Sequence, residues 1–68
     1  MNFQIGTRIY ASSVTRGMII DIKGEKVDVD QISEGYDSWE FTTGSGRKHS
    51  VYYGARVELL GWFNPEEV

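Results

Sequence analysis

The segment 15–30 most constrains what this chain can fold into, because apolar and polar residues alternate on both sides of a glycine turn. Alternation with a period of two is typical of β-strands that bury one face. The apolar positions are Met18, Ile20 and Ile22 before the turn and Val27 and Val29 after it. The segment therefore predicts a tight β-hairpin with its tip at residues 23–26.

The glycine of the tip suggests a register for the two strands. A two-residue turn of type II′ prefers glycine at its first central position, so we predict a turn at Gly24-Glu25. This register places Ile22 opposite Val27 and Ile20 opposite Val29, which matches the buried faces of the two strands. A three-residue loop would mismatch these faces, and we reject it.

The predicted register also pairs like charges on the outer face of the hairpin. Asp21 comes opposite Asp28, and Lys23 comes opposite Lys26; such pairs destabilise neighbouring strands. One interpretation is that these charges are solvated and splay apart. The alternative is that Asp21 and Asp28 accept a cation or a basic partner.

The rest of the chain alternates in the same way between glycine-rich turns. We predict strands at 7–11, 38–43, 47–53 and 55–60, a turn-rich connection at 31–37, a lead-in at 1–6 and a frayed tail at 66–68. No segment keeps a helical period over the ~10 residues that a helix needs. Short strands in so small a chain favour barrel closure, which removes exposed strand edges. We predict an all-β fold: a single SH3-like barrel of about five antiparallel strands that spans residues 1–68.

Composition limits what can stabilise this fold. The chain has 68 residues, no cysteine and one histidine, His49, which excludes disulfides and argues against the usual structural zinc sites. Small domains without such links often gain stability by associating. We expect neither a secretory signal nor a membrane-spanning segment, because no apolar run is long enough, and we expect a cytoplasmic protein.

The residues that could carry chemistry do not form a recognisable catalytic set. There is no cysteine nucleophile and no serine in a G-x-S-x-G setting, and nothing in the spacing favours His49 as a catalytic base. We therefore predict no catalytic residues, no metal site and no cofactor, and we expect a non-enzymatic protein.

Apolar residues on the outer face of the predicted strands indicate a contact surface. Several such residues from different strands can form a patch that a partner covers. The predicted binding surface comprises Tyr10, Ile19, Tyr52, Leu60 and Trp62. We expect it to mediate self-association into a homo-oligomer, or contact with another protein. The alternative is that the terminal segments cover these residues.

The second hairpin, at residues 44–46, is predicted to carry a basic tip. Arg47, Lys48 and His49 follow the turn and could contact phosphate or an acidic partner. Lys48 and Tyr52 share one strand face, a combination that is common in nucleic-acid contacts and equally common in protein interfaces. The net charge of −3 disfavours broad binding to nucleic acid.

One resemblance lies in the central hairpin. The run 16–22, followed by a glycine turn and Val27-Asp28-Val29, resembles the KOW motif found in SH3-like barrels. The resemblance covers about a quarter of the chain. It implies contact with RNA or the transcription machinery, although KOW proteins are usually basic and this chain is acidic.

A second resemblance covers more of the chain. The landmarks Gly6-Thr7-Arg8-Ile9, Gly17-Met18-Ile19-Ile20 and Glu34-Gly35-Tyr36 resemble, in their order, the type II dihydrofolate reductases of plasmids and integrons. These are short SH3-like barrels that work as tetramers, with a pore lined by a Val-Gln-Ile-Tyr strand. The corresponding residues here are His49-Ser50-Val51-Tyr52, so a pore would be lined by Ser50, Val51 and Tyr52. Serine stands where the family has its ligand-binding glutamine. Compact cysteine-free barrels of this kind are also frequent among phage and mobile-element proteins.

Overall fold

The computed structural model describes residues 3–66, so Met1 and Asn2 of the predicted lead-in and Glu67 and Val68 of the predicted tail lie outside it. Seven strands form within the described residues, and a 3₁₀ turn at Ala11–Ser13 follows the first of them. The strands are β1 (Arg8–Tyr10), β2 (Met18–Ile22), β3 (Glu25–Asp28), β4 (Gln31–Glu34), β5 (Ser38–Thr42), β6 (Lys48–Tyr52) and β7 (Arg56–Trp62). The prediction of an all-β fold is confirmed, with seven short strands rather than about five.

The strands form two antiparallel sheets that share one continuous stretch of chain. The first sheet has the order β1-β7-β2-β3, and the second has the order β4-β5-β6. Only Val29 and Asp30 separate β3 from β4. The Val29 amide donates to the Met18 carbonyl in the first sheet at 2.9 Å, and the Asp30 amide donates to the Thr42 carbonyl in the second sheet at 2.9 Å. The chain therefore passes from one sheet to the other as a single bent strand.

The strand β4 was missed from the sequence because most of its residues are polar. We predicted a turn-rich connection at 31–37, because Ser33 and Glu34 are polar and Gly35 interrupts the pattern. The structure pairs Ile32 with Phe41, which is enough to hold β4 against β5. A two-sided polar strand with one apolar residue carries little of the alternation by which strands are recognised.

The core lies where the two sheets face each other, and it contains most of the residues that alternation assigned to it. Buried residues come from both sheets, and Phe41 is completely buried. The predicted inward residues that are buried are Ile20, Ile22, Val27, Val29, Phe41, Val51, Val57 and Leu59. Each fully buried aliphatic or aromatic side chain contributes about 1.5–3 kcal/mol to folding.

The predicted register of the central hairpin is wrong. The turn residues are Lys23 and Gly24, with φ values of 53° and 82°, and two positive φ values define a type I′ turn. Ile22 therefore lies opposite Glu25, and Ile20 lies opposite Val27. The shift moves the pairing by two residues, so the buried face of each strand stays buried.

The corrected register removes the predicted like-charge pairs. Asp21 lies opposite Lys26, an opposite-charge pair, and Asp28 lies opposite Ile19. The Asp21 carboxylate also accepts a hydrogen bond from the Gly24 amide at 2.7 Å, which holds the turn closed. The electrostatics that counted against the predicted register thus favour the observed one.

A bulge interrupts the pairing of β7 with β2. Ile19 lies opposite Gly61 while Ile20 lies opposite Leu59, so Leu60 is the extra residue. Beyond the bulge Trp62 lies opposite Met18, whose side chain is buried. The burial of β7 nevertheless alternates through the bulge, and Trp62 is half exposed.

Candidate protein-binding groove

The five residues of the predicted binding surface are distributed over both sheets and differ in exposure. Tyr10, Tyr52 and Trp62 are 50%, 70% and 50% exposed, while Ile19 and Leu60 are partly buried. Tyr52 belongs to the three-stranded sheet and the other four to the four-stranded sheet.

A groove lies at the seam between the two sheets, and Tyr52 is the one residue of this set that lines it. The groove has a volume of about 550 Å³, within the range of small ligand clefts. One wall is β6, with Ser50, Val51 and Tyr52. The other wall is formed by the tip of the central hairpin, residues 21–24, and by β1 and β7, with Arg8 and residues 55–58. The backbone of β6 therefore runs along the length of one wall.

The hydrogen bonds of β6 show which way its backbone groups point. The Thr43 amide donates to the Arg47 carbonyl at 2.9 Å, and the Tyr53 amide donates to the Asp37 carbonyl at 3.1 Å. These bonds lie at the two ends of the β5–β6 ladder and fall on the same register. Hydrogen-bonded and non-hydrogen-bonded pairs alternate along an antiparallel ladder, so every second residue of β6 bonds to β5.

The residues between them leave β6 with a free edge. Lys48, Ser50 and Tyr52 direct their amide and carbonyl groups away from β5, because they occupy the non-hydrogen-bonded positions. Within residues 3–66 β6 pairs with β5 alone, and of these groups the Tyr52 carbonyl accepts a bond from the Ala55 amide at 3.0 Å. We call this row of backbone groups the β6 free edge. An unpaired edge of this kind is a template for another strand.

The opposite wall of the groove is rich in cations. Arg8, Lys23 and Arg56 line it, and none of the three forms an ion pair with any residue in the described part of the chain. The Arg56 guanidinium lies 4.8 Å from the centre of the Tyr10 ring and donates to the Tyr10 hydroxyl at 3.0 Å. This stacking holds the guanidinium in place without neutralising its charge.

Two carboxylates share this wall. Asp21 is engaged by the Gly24 amide, and Glu58 lies between Arg8 and Asp21 in the cross-strand register. With three cations and two carboxylates, the groove has a small excess of positive charge in a chain whose net charge is −3. Sequence reasoning missed Arg8 and Arg56. The available signal was that Arg8 alternates with Tyr10 on one face of β1.

The structure divides the predicted basic tip between two faces. Arg47 and His49 point toward Glu25 on β3. A guanidinium nitrogen of Arg47 lies 2.9 Å from one carboxylate oxygen of Glu25, and His49 Nε2 lies 3.8 Å from the same oxygen. Lys48 is exposed on the opposite face, which it shares with Tyr52 as predicted. The Arg47 and His49 contacts link the two sheets at the surface, where the Arg47 side chain stays 68% exposed.

The predicted cation site between Asp21 and Asp28 does not form, because the register separates the two residues. Asp28 instead lines a second hollow of about 770 Å³ near Glu25 and Asp30, and its Oδ1 is buried with no hydrogen-bond partner in the described residues. Within residues 3–66 no cluster of three or more histidine, cysteine or acidic side chains has a geometry that could hold a metal ion.

Tyr53, just after β6, forms a polar contact that the sequence did not indicate. Its hydroxyl donates to the Glu34 carboxylate, and its ring packs at 5.4 Å from the ring of Trp39. The hydrogen bond to Glu34 raises the pKa of Tyr53 above its usual 10.0, with smaller contributions from desolvation and from the negative charge of Glu34. This contact joins the end of β4 to the chain that leaves β6.

Comparisons with protein-family models, with curated proteins and with solved structures find no match to this chain. Among the described residues there is no helix of the length and apolar character needed to cross a membrane. The groove and the β6 free edge beside it are therefore the features from which a function is inferred.

Proposed function

We propose that this chain is a non-enzymatic protein-interaction module that binds another polypeptide along the β6 free edge. The observation that carries the proposal is the set of backbone groups at Lys48, Ser50 and Tyr52 that point away from β5, of which Ser50 and Tyr52 line the groove. An extended peptide that adds a strand to such an edge gains main-chain hydrogen bonds, while the groove beside it selects side chains.

The strand order supports an SH3-like barrel as the scaffold of this module. From β2 onward the chain runs through the bent β3–β4 strand, β5 and β6 as a meander, and a turn at 53–54 leads into β7, which returns to pair with β2. Five consecutive strands of which the last pairs with the first is the arrangement expected of such a barrel. The edge strand β1 is an addition to it.

Self-association is the second candidate, because the β6 free edge is complementary to itself. Two copies related by a two-fold axis at Ser50 would pair Ser50 with its counterpart and Lys48 with Tyr52 of the second copy. All of these positions direct backbone groups outward, so the main-chain bonds of this register can form. A lysine opposite a tyrosine is also a compatible cross-strand pair.

The proposal is tested by Ser50→Pro, with Ser50→Thr as the matched control. Proline removes the Ser50 amide, which points away from β5, so the existing ladder keeps its bonds while strand addition is blocked. The readouts are light scattering after size exclusion over a concentration series, and titration with a short alternating valine–threonine peptide and its N-methylated form.

We expect the parent chain and Ser50→Thr to bind either a second copy or the unmethylated peptide. Ser50→Pro should bind neither and should keep the circular dichroism spectrum of the parent. A parent chain that stays monomeric and ignores the peptide contradicts the proposal, as does binding that Ser50→Pro leaves intact.

Two alternative functions have a specific observation in their favour. An oligomeric enzyme of the type II reductase kind would use Ser50, Val51 and Tyr52, which do line the groove. NADPH titration followed by the fluorescence of Trp39 and Trp62 tests it, and no response at millimolar cofactor would end it. A KOW-like RNA contact would use Lys48 and Tyr52 on one face of β6, and binding of short RNA at low salt tests that function.

A further inference from the structure

We propose that the partner of the β6 free edge is an extended acidic segment of another protein, in which acidic and apolar residues alternate. This inference rests on the proposed function and adds the chemistry of the partner to it. It follows from the charges of the groove, from the residues that a second copy would bring there, and from the side chains that face inward beside the free edge.

The wall that faces the free edge carries an excess of positive charge. A strand added to β6 comes between Ser50 and the opposite wall, where Arg8, Lys23 and Arg56 lie. None of these cations forms an ion pair within the described residues, and Arg56 is held in place by Tyr10. A carboxylate on the incoming strand would be the first carboxylate to pair with Arg56, in a bidentate geometry that guanidinium favours.

A second copy of the chain matches the charge of this wall less well than an acidic segment does. The self-complementary register brings Lys48 of the second copy opposite Tyr52, at the end of the groove that Arg56 also lines. The residue before Lys48 is Arg47, so a second copy adds positive charge to a wall that already carries an excess of it. Like charges brought together at an interface suppress association, whereas an acidic segment has the complementary sign.

The two faces of the sheet beside β6 determine how apolar and acidic residues alternate in the partner. Side chains of an added strand point alternately to the two faces of the sheet, in phase with Ser50 on one face and Val51 on the other. Val51, Ile22 and Val57 are at most 9% exposed and form the floor of the groove. Inward residues of the partner would therefore be apolar, and outward residues would lie beside Tyr52 and the arginines, where acidic side chains fit.

The probes are three short capped peptides: alternating glutamate and valine, alternating lysine and valine, and an N-methylated glutamate–valine peptide. Binding is followed by calorimetry and by amide chemical shifts of the labelled chain at low and high salt. We expect the glutamate peptide to bind at least tenfold more tightly than the lysine peptide, with shifts centred on residues 48–52 and an affinity that falls with salt. The N-methylated peptide should not bind.

Charge reversal then locates the selectivity. Arg8→Glu combined with Arg56→Glu should weaken binding of the glutamate peptide by roughly twofold to tenfold, and it should improve binding of the lysine peptide. Lys26→Glu is the matched control for Arg56→Glu alone: it makes the same change of charge on β3, at a residue that does not line the groove. It should leave the preference unchanged.

The outcomes separate this inference from the proposed function. Equal binding of the glutamate and lysine peptides, abolished by Ser50→Pro, would keep the proposed function and overturn the acidic partner. A dimer that Ser50→Pro dissociates, in a chain that ignores all three peptides, would identify a second copy as the occupant and also overturn it. If nothing binds, the proposed function itself fails.

Discussion

At the scale of single residues, backbone conformation decides more than side-chain type at the tip of the central hairpin. Gly24 has a φ of 82°, and an added methyl group there would meet no atom within 4 Å. Its requirement for glycine is therefore purely conformational, because L-residues pay about 1–2 kcal/mol in the left-handed region. Lys23 pays such a cost already, with a φ of 53°.

We expect Gly24→Ala to lower the free energy of unfolding by about 1–2 kcal/mol. Gly44→Ala is the control, since Gly44 has equally open surroundings and no positive φ. It should be neutral or stabilising by up to about 1 kcal/mol, because alanine reduces the entropy of the unfolded chain. Urea denaturation measures both, and equal effects at the two positions would contradict the conformational account.

Tyr53 gives a prediction for alkaline pH. Its pKa is raised in the folded chain by the hydrogen bond to Glu34, so the folded state holds the phenolic proton more tightly than the unfolded state. This stabilisation is fully present below pH 10, the ordinary tyrosine value, and is lost as the pH rises through the raised pKa of Tyr53.

We expect an absorbance titration of the folded chain to show one tyrosine, Tyr53, ionising above the ordinary tyrosine pKa. Glu34→Gln should bring that late ionisation back toward the ordinary tyrosine pKa, because it removes the carboxylate, and Tyr53→Phe should abolish it. A late ionisation that persists in Tyr53→Phe would show that another tyrosine is responsible.

At the scale of elements, alternation identifies strands and core well and register poorly. The inward residues of the central hairpin, Ile20 and Val27, were correctly placed in the core, because a shift of two residues preserves the face. The predicted type II′ turn was wrong because lysine rarely adopts a positive φ, so the sequence did not indicate the type I′ turn at Lys23 and Gly24. The like-charge pair of Asp21 and Asp28 was the signal that the register needed correction.

Contacts between elements limited the prediction of the site. The alternation of β6 correctly placed Lys48 and Tyr52 on one face, but no local pattern indicates that the other edge of β6 is unpaired. That depends on where β1, β2 and β7 lie, which is set by long-range pairing. The bulge at Leu60 is a further case, since the pairing of Ile19 with Gly61 and of Ile20 with Leu59 is set by the contact of β7 with β2.

At the scale of the whole molecule, stability is concentrated in a small core. The radius of gyration is 10.9 Å, equal to the value of about 11 Å expected of a compact chain of this length. After the entropy cost of folding, a core of this size leaves a net free energy of unfolding of only about 3–5 kcal/mol. Phe41 is completely buried in a core that draws residues from both sheets, so its loss bears on the whole fold.

We expect Phe41→Ala to cost about 3–5 kcal/mol and to leave most of the chain unfolded at room temperature. Tyr36→Ala is the control, because Tyr36 is fully exposed, and it should change the free energy of unfolding by less than about 0.5 kcal/mol. Circular dichroism and urea denaturation measure both variants. A folded, cooperative Phe41→Ala chain would contradict a core centred on Phe41.

Amide hydrogen exchange of β6 tests the central claim most directly. In the free chain, His49 and Val51 should exchange slowly because they bond to β5, and Lys48 and Ser50 should exchange fast because their amides point away from β5. On saturation with the glutamate–valine peptide, the Lys48 and Ser50 amides should become protected while those of His49 and Val51 remain slow. An Ser50 amide that is already protected in the monomer, or that stays unprotected when the peptide is bound, would contradict a free edge that binds by strand addition.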